Sequence, residues 1–233
     1  MLPTSPIHNP HLDLWRLNLD DPAPLPRLAA YLSAAEQARA AQFYFERDRH
    51  RYVVGRGMVR TILATYLEIN PAEVPLGYGT YGKPYLTTPP TPPLYFNLSH
   101  SNGVGVLGVT GIGEIGVDIE YCRDVADMAA MAQLVFSSWE YARWNALPAM
   151  QRLSGFYRGW TCKEAYMKAV GMGFSLTSSS FDVAFLPDET TRLVSNDPHW
   201  TLANFEMEPT LMGAYALATP DLPIEITVRH REP

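Results

Sequence analysis

Three carboxylates stand in places where charge is costly. Between Ile115 and Glu120 the apolar side chains Ile115, Val117 and Ile119 alternate, so Asp118 and Glu120 share the other face of a strand. A solvated face is the usual fate of such a pair. A second pattern argues against that. In residues 152–171, RLSGFYRGWTCKEAYMKAVG, the side chains Leu153, Tyr157, Trp160, Met167 and Gly171 fall on one helical stripe, and Glu164 lies on it too. A carboxylate facing inward is expensive unless it meets a metal or a cation. Lys168, one turn further on, offers an ion pair with Glu164. The functional alternative joins Glu164 to Asp118 and Glu120 around a hard cation. Oxygen ligands without Cys or paired His favour Mg²⁺ over Zn²⁺, and Mg²⁺ leaves part of its shell to water and phosphate oxygens.

Another charge is out of place near the N-terminus. In a helix expected over about residues 48–67, Gly55, Met58 and Ile62 mark an inward stripe and Arg51 falls on it. Arg49, Arg56 and Arg60 take the opposite face, where solvent is expected. An inward Arg at a helix start wants a carboxylate or a phosphate. Two GxGxxG matches, Gly103-Val-Gly105-Val-Leu-Gly108 and Gly111-Ile-Gly113-Glu-Ile-Gly116, fail as dinucleotide sites. Such a motif must open a helix, and both run through strand-like sequence.

The elements that position these residues follow from the punctuation of the chain. His11–Leu19 reads as a first strand, ended by the Pro-rich stretch 21–26. Ser33 with Glu36 fits a capping box at a helix start. The 48–67 helix stops before Asn70-Pro71. Residues 71–94, rich in Pro, Gly and Thr, read as loop. Strands are expected at 94–98, 103–110 and 115–120, and helices at about 126–146 and 151–170, the last stopped by Gly171 and Gly173. The tail from Ser180 is strand-like. Mixed helices and strands without strict alternation make the fold class α+β, with a boundary near residues 110–113.

Composition sets the outer limits. The chain has 233 residues, 47% of them hydrophobic, with 18 basic against 24 acidic side chains and a net charge of −6. That is ordinary globular composition, and its sign argues against nucleic acid as a partner. No stretch approaches the roughly 20 apolar residues of a membrane span. The opening MLPTSPIHNP has no basic or apolar signal region, so a cytoplasmic protein is expected. Cys122 and Cys162 form neither a disulfide framework nor a CxxC pair and read as packing residues.

Taken together, three blocks are distinctive: Asn97-Leu98-Ser99-His100-Ser101, Gly116-Val117-Asp118-Ile119-Glu120, and Trp160-Thr161-Cys162-Lys163-Glu164-Ala165-Tyr166-Met167-Lys168. In order and spacing they resemble the signature of the 4′-phosphopantetheinyl transferases, in particular the large group that primes surfactin synthetase. Gly82-Lys83-Pro84 is similar to that family's coenzyme A loop, Asp48-Arg49-His50-Arg51 with Gly55 to its N-terminal helix, and Phe136-Ser137-Ser138-Trp139-Glu140 to its FSxxE segment. The resemblance spans roughly residues 33–175.

The resemblance implies two pseudo-symmetric halves, 1–111 and 112–233, each a small mainly antiparallel sheet on a long helix, with the site in the cleft between them. It implies a monomer that moves the 4′-phosphopantetheine arm of coenzyme A to a serine of an apo acyl or peptidyl carrier protein, with Mg²⁺ held by Asp118, Glu120 and Glu164. Glu140 would hold the metal through water or deprotonate the serine, Glu164 is the other candidate for that base, and Lys168 would stabilise the leaving bisphosphate or protonate it. Arg51, Lys83, Pro84, Ser99, His100 and Lys163 would contact the coenzyme. Upstream of Phe43 the family often carries several basic residues for the 3′-phosphate. Here AAEQARAAQ offers only Arg39, which leaves that phosphate to Arg51, Lys83 and His100. An acidic chain facing an acidic carrier needs a local docking patch, expected at Arg152, Phe156, Tyr157 and Arg158. The rival readings are another Mg²⁺-dependent phosphohydrolase or nuclease, and a binding module in which Glu164–Lys168 is structural.

Overall fold

The computed structural model describes residues 11–171, 176–194, 199–219 and 224–230. The opening segment read for a signal, and Gly173, lie outside them. Strand β1 (His11–Asn18) gives way at the prolines to the short helix α1 (Leu25–Ala29) and then to α2 (Ala34–Ala40). The capping box forms as the sequence suggests: Ser33 Oγ accepts from the Glu36 amide and the Glu36 carboxylate accepts from the Ser33 amide. Helix α3 (Glu46–Leu67) follows, closed by Glu68 in the left-handed region. The segment read as loop contains a 3₁₀ turn at Pro71–Glu73 and a small hairpin, β2 (Leu76–Tyr78) with β3 (Pro84–Leu86). The strands β4 (Tyr95–Ser101), β5 (Val104–Thr110) and β6 (Ile115–Tyr121) match the three expected strands, except that β4 runs on from Leu98 to Ser101. Neither GxGxxG stretch opens a helix.

The single helix expected at 126–146 is two, α4 (Met128–Val135) and α5 (Ser138–Asn145), because Ser137 leaves the helix and caps α5. Helix α6 (Ala149–Val170) ends on Gly171, whose φ of 73° suits glycine. The short pair β7 (Val183–Ala184) and β8 (Arg192–Leu193), the long pair β9 (Trp200–Glu208) and β10 (Leu211–Ala218), and β11 (Glu225–His230) complete the order.

The architecture is α+β. One sheet has the order β11-β1-β5-β4 and the other β6-β10-β9. Helix α3 covers the first sheet through Val54, Met58, Ile62 and Leu63 on Trp15, Leu17, Leu107 and Val109. Helix α6 covers the second through Phe156, Cys162, Ala165 and Ala169 against Leu202, Met212, Ala214 and Ala216. A third apolar cluster joins the sheets, with Leu12, Leu14 and Val106 of the first against Ile115, Val117, Ile119, Tyr215 and Leu217 of the second. Each fully buried Leu or Ile contributes about 1.5–3 kcal/mol. The division at residue 111 falls between β5 and β6, but β11 crosses back and pairs in parallel with β1. The sheet of the N-terminal half therefore takes its edge strand from the C-terminus. No helix among the described residues is long and apolar enough to cross a membrane.

Candidate active site

The two sheets meet at β4 and β6, and side chains of the first block make the joint. The β6 amides of Val117, Ile119 and Tyr121 donate to Asn97 Oδ1 (3.0 Å), Ser99 Oγ (3.3 Å) and Ser101 Oγ (3.1 Å). Each pair is 20 residues apart, so the strands run in the same direction, and the period-2 spacing of Asn97, Ser99 and Ser101 matches the strand repeat. The serines also orient the acids beside them. Ser99 Oγ donates to Asp118 Oδ1 at 2.9 Å and Ser101 Oγ to Glu120 Oε2 at 2.9 Å.

Helix α6 closes on this strand at Gly116. A Cβ there would lie 2.0 Å from the Ala165 carbonyl oxygen and 2.4 Å from the Ala169 amide nitrogen. The missing side chain is what lets the helix carry Glu164 and Lys168 up to the acidic pair. Lys168 Nζ donates to Asp118 Oδ1 at 2.6 Å and to Ser99 Oγ at 3.0 Å. The expected Glu164–Lys168 pair is therefore replaced by Lys168–Asp118. Among the described residues Glu164 has no hydrogen bond or ion pair. Only the last part of the stripe that carries it, Glu164, Met167 and Gly171, lines the cleft, while Tyr157 is in the core with Phe156, Cys162, Ala165 and Ala169, and Glu164 is half-buried.

Electrostatics ties the acids together. Burial, opposed by Lys168 and Ser99, pushes the Asp118 carboxyl up. Burial and then the Asp118 charge raise Glu120, and burial with Asp118 raises Glu164, which also feels Glu120. Among the described residues Asp118 Oδ2 is buried with no hydrogen-bond partner. Among the described residues no three His, Cys, Asp or Glu side chains are gathered closely enough to enclose an ion. The donor set nevertheless suits a hard divalent cation: three mutually repelling carboxylates, an orphaned buried oxygen and no sulfur or imidazole among them.

Glu164 and Lys168 also line a cavity of about 620 Å³ with Arg56, Gly82, Lys83, Pro84, His100 and Gly171. Both halves supply its walls. Lys83 Nζ bonds to Glu114 (2.7 Å) and the Ala169 carbonyl (2.9 Å), tying the β2–β3 hairpin to α6. His100 is exposed at the cavity, yet the crowding of protein around it, with Lys168, Arg56 and Arg51, holds its imidazole below the usual value.

Several expected site residues lie elsewhere. Glu140 and Lys163 are an internal pair, 2.8 Å apart and both fully buried. Glu140 caps α5 through Ser137 and accepts from the Val183 amide at 2.7 Å, while Lys163 Nζ also meets the carbonyls of Ser178 and Phe181 at 2.7 Å. Burial pushes Glu140 up and Lys163 down, each opposed by the other's charge. Neither lines the cavity, so this placement lends no support to the base and phosphate roles expected of them. Ser99 is buried in the β4–β6 joint rather than turned to a ligand. Arg51 meets a carboxylate, with Nε and Nη2 on Asp20 at 2.6 and 2.8 Å, and is not in the cavity wall. Arg60, expected in solvent, is buried on Glu36 at 2.8 Å, and Arg56, expected beside it in solvent, lines the cavity. The docking patch also fails as a surface: Phe156 and Tyr157 are buried, Arg152 bonds to the carbonyls of Asn145 and Leu147, and Arg158 to that of Phe185.

Comparison with known proteins bears on the same residues. A family model described as the 4′-phosphopantetheinyl transferase superfamily matches residues 114–220, and one described as 4′-phosphopantetheinyl transferase, N-terminal, matches residues 21–110. The chain is 39% identical over 207 residues to the 4′-phosphopantetheinyl transferase HetI of Nostoc sp., covering 88% of this chain and 86% of that one. It is 31% identical over 204 residues to the 4′-phosphopantetheinyl transferase ffp of Bacillus subtilis, with 87% and 89% covered. To the 4′-phosphopantetheinyl transferase Sfp of Bacillus subtilis (strain 168) it is 29% identical, with the same coverage.

Proposed function

The chain belongs to the 4′-phosphopantetheinyl transferase superfamily, and on that premise we propose that its cleft transfers the 4′-phosphopantetheine arm of coenzyme A to a serine hydroxyl of an acyl or peptidyl carrier protein. The serine oxygen forms a bond to the β-phosphorus of the diphosphate. The bond from that phosphorus to the bridging oxygen breaks, adenosine 3′,5′-bisphosphate leaves, and the serine proton goes to a base. Such a reaction needs positioning and charge stabilisation more than covalent help from the protein.

One observation carries this reading. Glu164 and Lys168 line a cavity built by both halves with Lys83, His100 and Arg56, and Asp118, held by Lys168, and Glu120 stand near enough to raise the Glu164 carboxyl. Asp118, Glu120 and Glu164 would hold Mg²⁺, which when bound neutralises charge developing on the diphosphate oxygens. Ser99 and Ser101 fix the two strand carboxylates from behind, as outer-shell partners of ligands do. Lys168 reaches the leaving phosphate from the α6 wall. With Glu140 taken up inside the protein, Glu164 is the carboxylate of the cavity wall that can accept the serine proton, directly or through water. Lys83 and Pro84 form the rim along which the coenzyme lies. One chain supplies both walls, which supports a monomer as the acting unit.

The test is the intact mass of an apo carrier protein incubated with this protein and coenzyme A, with Mg²⁺ or with a chelator. Addition of one phosphopantetheine group, dependent on Mg²⁺, is the expected result. Release of phosphate or 4′-phosphopantetheine with an unmodified carrier would overturn it in favour of hydrolysis.

A further inference from the structure

The hairpin β2–β3 is tied to both halves of the molecule. At one end Tyr78 donates to Glu36 Oε1 at 3.0 Å. That carboxylate is buried and also holds Arg60 of α3 and the Ser33 amide, so this end is anchored on α2 and α3. At the turn, Gly82 takes a φ of 81°, its amide donates to the Gly79 carbonyl at 2.9 Å, and the Gly79 amide donates to the Lys83 carbonyl at 2.9 Å. The closed turn presents Lys83 to the C-terminal half. There the ammonium gives one N–H to the Ala169 carbonyl at 2.9 Å and another to Glu114 at 2.7 Å. The two acceptors differ in kind. Ala169 lies in the last turn of α6, where carbonyls lack a partner within the helix and draw a cation. Glu114 instead neutralises the charge of Lys83.

The backbone of Glu114 is fixed. Its carbonyl accepts from the Ala218 amide at 2.8 Å, and Gly113 packs so closely that a Cβ there would lie 2.3 Å from the Ala218 carbonyl oxygen. Its side chain is free to turn: it is 56% exposed, against 21% for Lys83, and among the described residues its one hydrogen bond is the one to Lys83. A pair with one member so exposed is weak. Lys83 lines the cavity with Gly82 and Pro84, and Glu114 does not. An ammonium carries three N–H donors, and a phosphate oxygen is as good an acceptor for them as a carboxylate. A phosphate in the cavity can therefore take Lys83 from the inner side while the carboxylate turns into water and the Ala169 carbonyl keeps the ammonium in place. We propose that Glu114 is an internal counter-ion that an anionic group of coenzyme A displaces from Lys83, and that this exchange lowers the affinity of the cleft for the coenzyme. The proposal rests on the transferase reading and adds to it a residue that sets how tightly the substrate is held.

The experiment measures coenzyme A binding by calorimetry, with Mg²⁺ present, on wild type, Glu114→Gln, Lys83→Met and the double variant. Glu114→Gln should bind about 2- to 5-fold more tightly than wild type, the range an ion pair half in solvent supplies. In the Lys83→Met background the same change should have no effect. A gain of equal size in both backgrounds would overturn the proposal, because Glu114 would then act on the coenzyme through space and not through Lys83. So would unchanged or weaker binding by Glu114→Gln, the latter making Glu114 a support that holds Lys83 in place. Crystals of the wild type with coenzyme A give a readout that needs no variant. Lys83 Nζ should lie on a phosphate oxygen and off Glu114, and a Lys83–Glu114 pair that persists beside bound coenzyme would overturn the exchange. A wild type that binds coenzyme A yet modifies no carrier refutes the transfer step alone, and one that does not bind it refutes both, so the failures are distinguishable.

Discussion

Ser99→Ala separates a ligand contact from a structural joint. Ser99 Oγ accepts from the Ile119 amide (3.3 Å), donates to Asp118 Oδ1 (2.9 Å) and accepts from Lys168 Nζ (3.0 Å), all in a buried setting. Truncation leaves the Ile119 N–H without a partner, at about 1–3 kcal/mol, and removes a hydrogen bond to a charged group, worth about 1.5–3 kcal/mol. Lys168 stays on Asp118 and keeps part of that, so the expected loss is about 2–4 kcal/mol. In a chain of 233 residues that lowers Tm by about 4–16 °C, taking about 2–4 °C per kcal/mol. Asp118 also loses one of the groups that aim it, and kcat should fall about 10- to 100-fold, the usual effect of removing an outer-shell partner. The KM for coenzyme A should not move, because the hydroxyl faces the joint. Guanidinium unfolding and steady-state kinetics on one preparation read all three quantities. A stability loss under about 0.5 kcal/mol, the level of a neutral surface change, or a raised KM with normal kcat, would refute the reasoning.

Other outcomes follow from the same geometry. Glu164→Gln should cut Mg²⁺-dependent transfer at least about 100-fold, as loss of one ligand of a cation worth several kcal/mol would; near-normal rates would remove Glu164 from the site. Lys163→Met strands Glu140 in the interior and should cost about 3–5 kcal/mol by guanidinium unfolding, with an unchanged coenzyme A KM in the folded protein; a raised KM at normal stability would restore a phosphate role. Burial holds Glu120 and Glu164 above the ordinary carboxylate range, so in that window the folded state keeps protons that the unfolded chain has lost. Metal-free stability from this pair therefore falls as pH rises from the usual Glu value of about 4.3 through the raised values. The Tm gain on adding Mg²⁺ with coenzyme A should then be larger at about pH 7.5 than at about pH 5, and equal gains would contradict the cluster.

What the sequence made legible was whatever repeats with a period. Alternation located Asp118 and Glu120 on one strand face, and the Ser33–Glu36 spacing predicted a cap that forms. Helix α3 defeated the same method because it is buried on most sides: Val53, Val54, Met58, Val59, Arg60, Ile62 and Leu63 leave no single stripe to read. Arg60 and Arg56 were thus assigned to solvent, although one is buried on Glu36 and the other lines the cleft. Glu140 and Lys163 carry the residue types of a site, and nothing local distinguishes a catalytic pair from one sealed in the core. The return of β11 to β1, across more than 200 residues, has no local signal either. The joint at Asn97, Ser99 and Ser101 did have one: polar residues at every second position of a strand next to an acidic strand.

The central claim is that Asp118, Glu120 and Glu164 share one divalent ion against the diphosphate. Crystals grown with coenzyme A and Mn²⁺ in place of Mg²⁺ test it through anomalous scattering. The expected result is a single peak at about 2.1 Å from a carboxylate oxygen of each of the three, with diphosphate oxygens completing the shell. A peak that omits Glu164, or coenzyme A bound in the cleft with no peak beside its diphosphate, would contradict the claim.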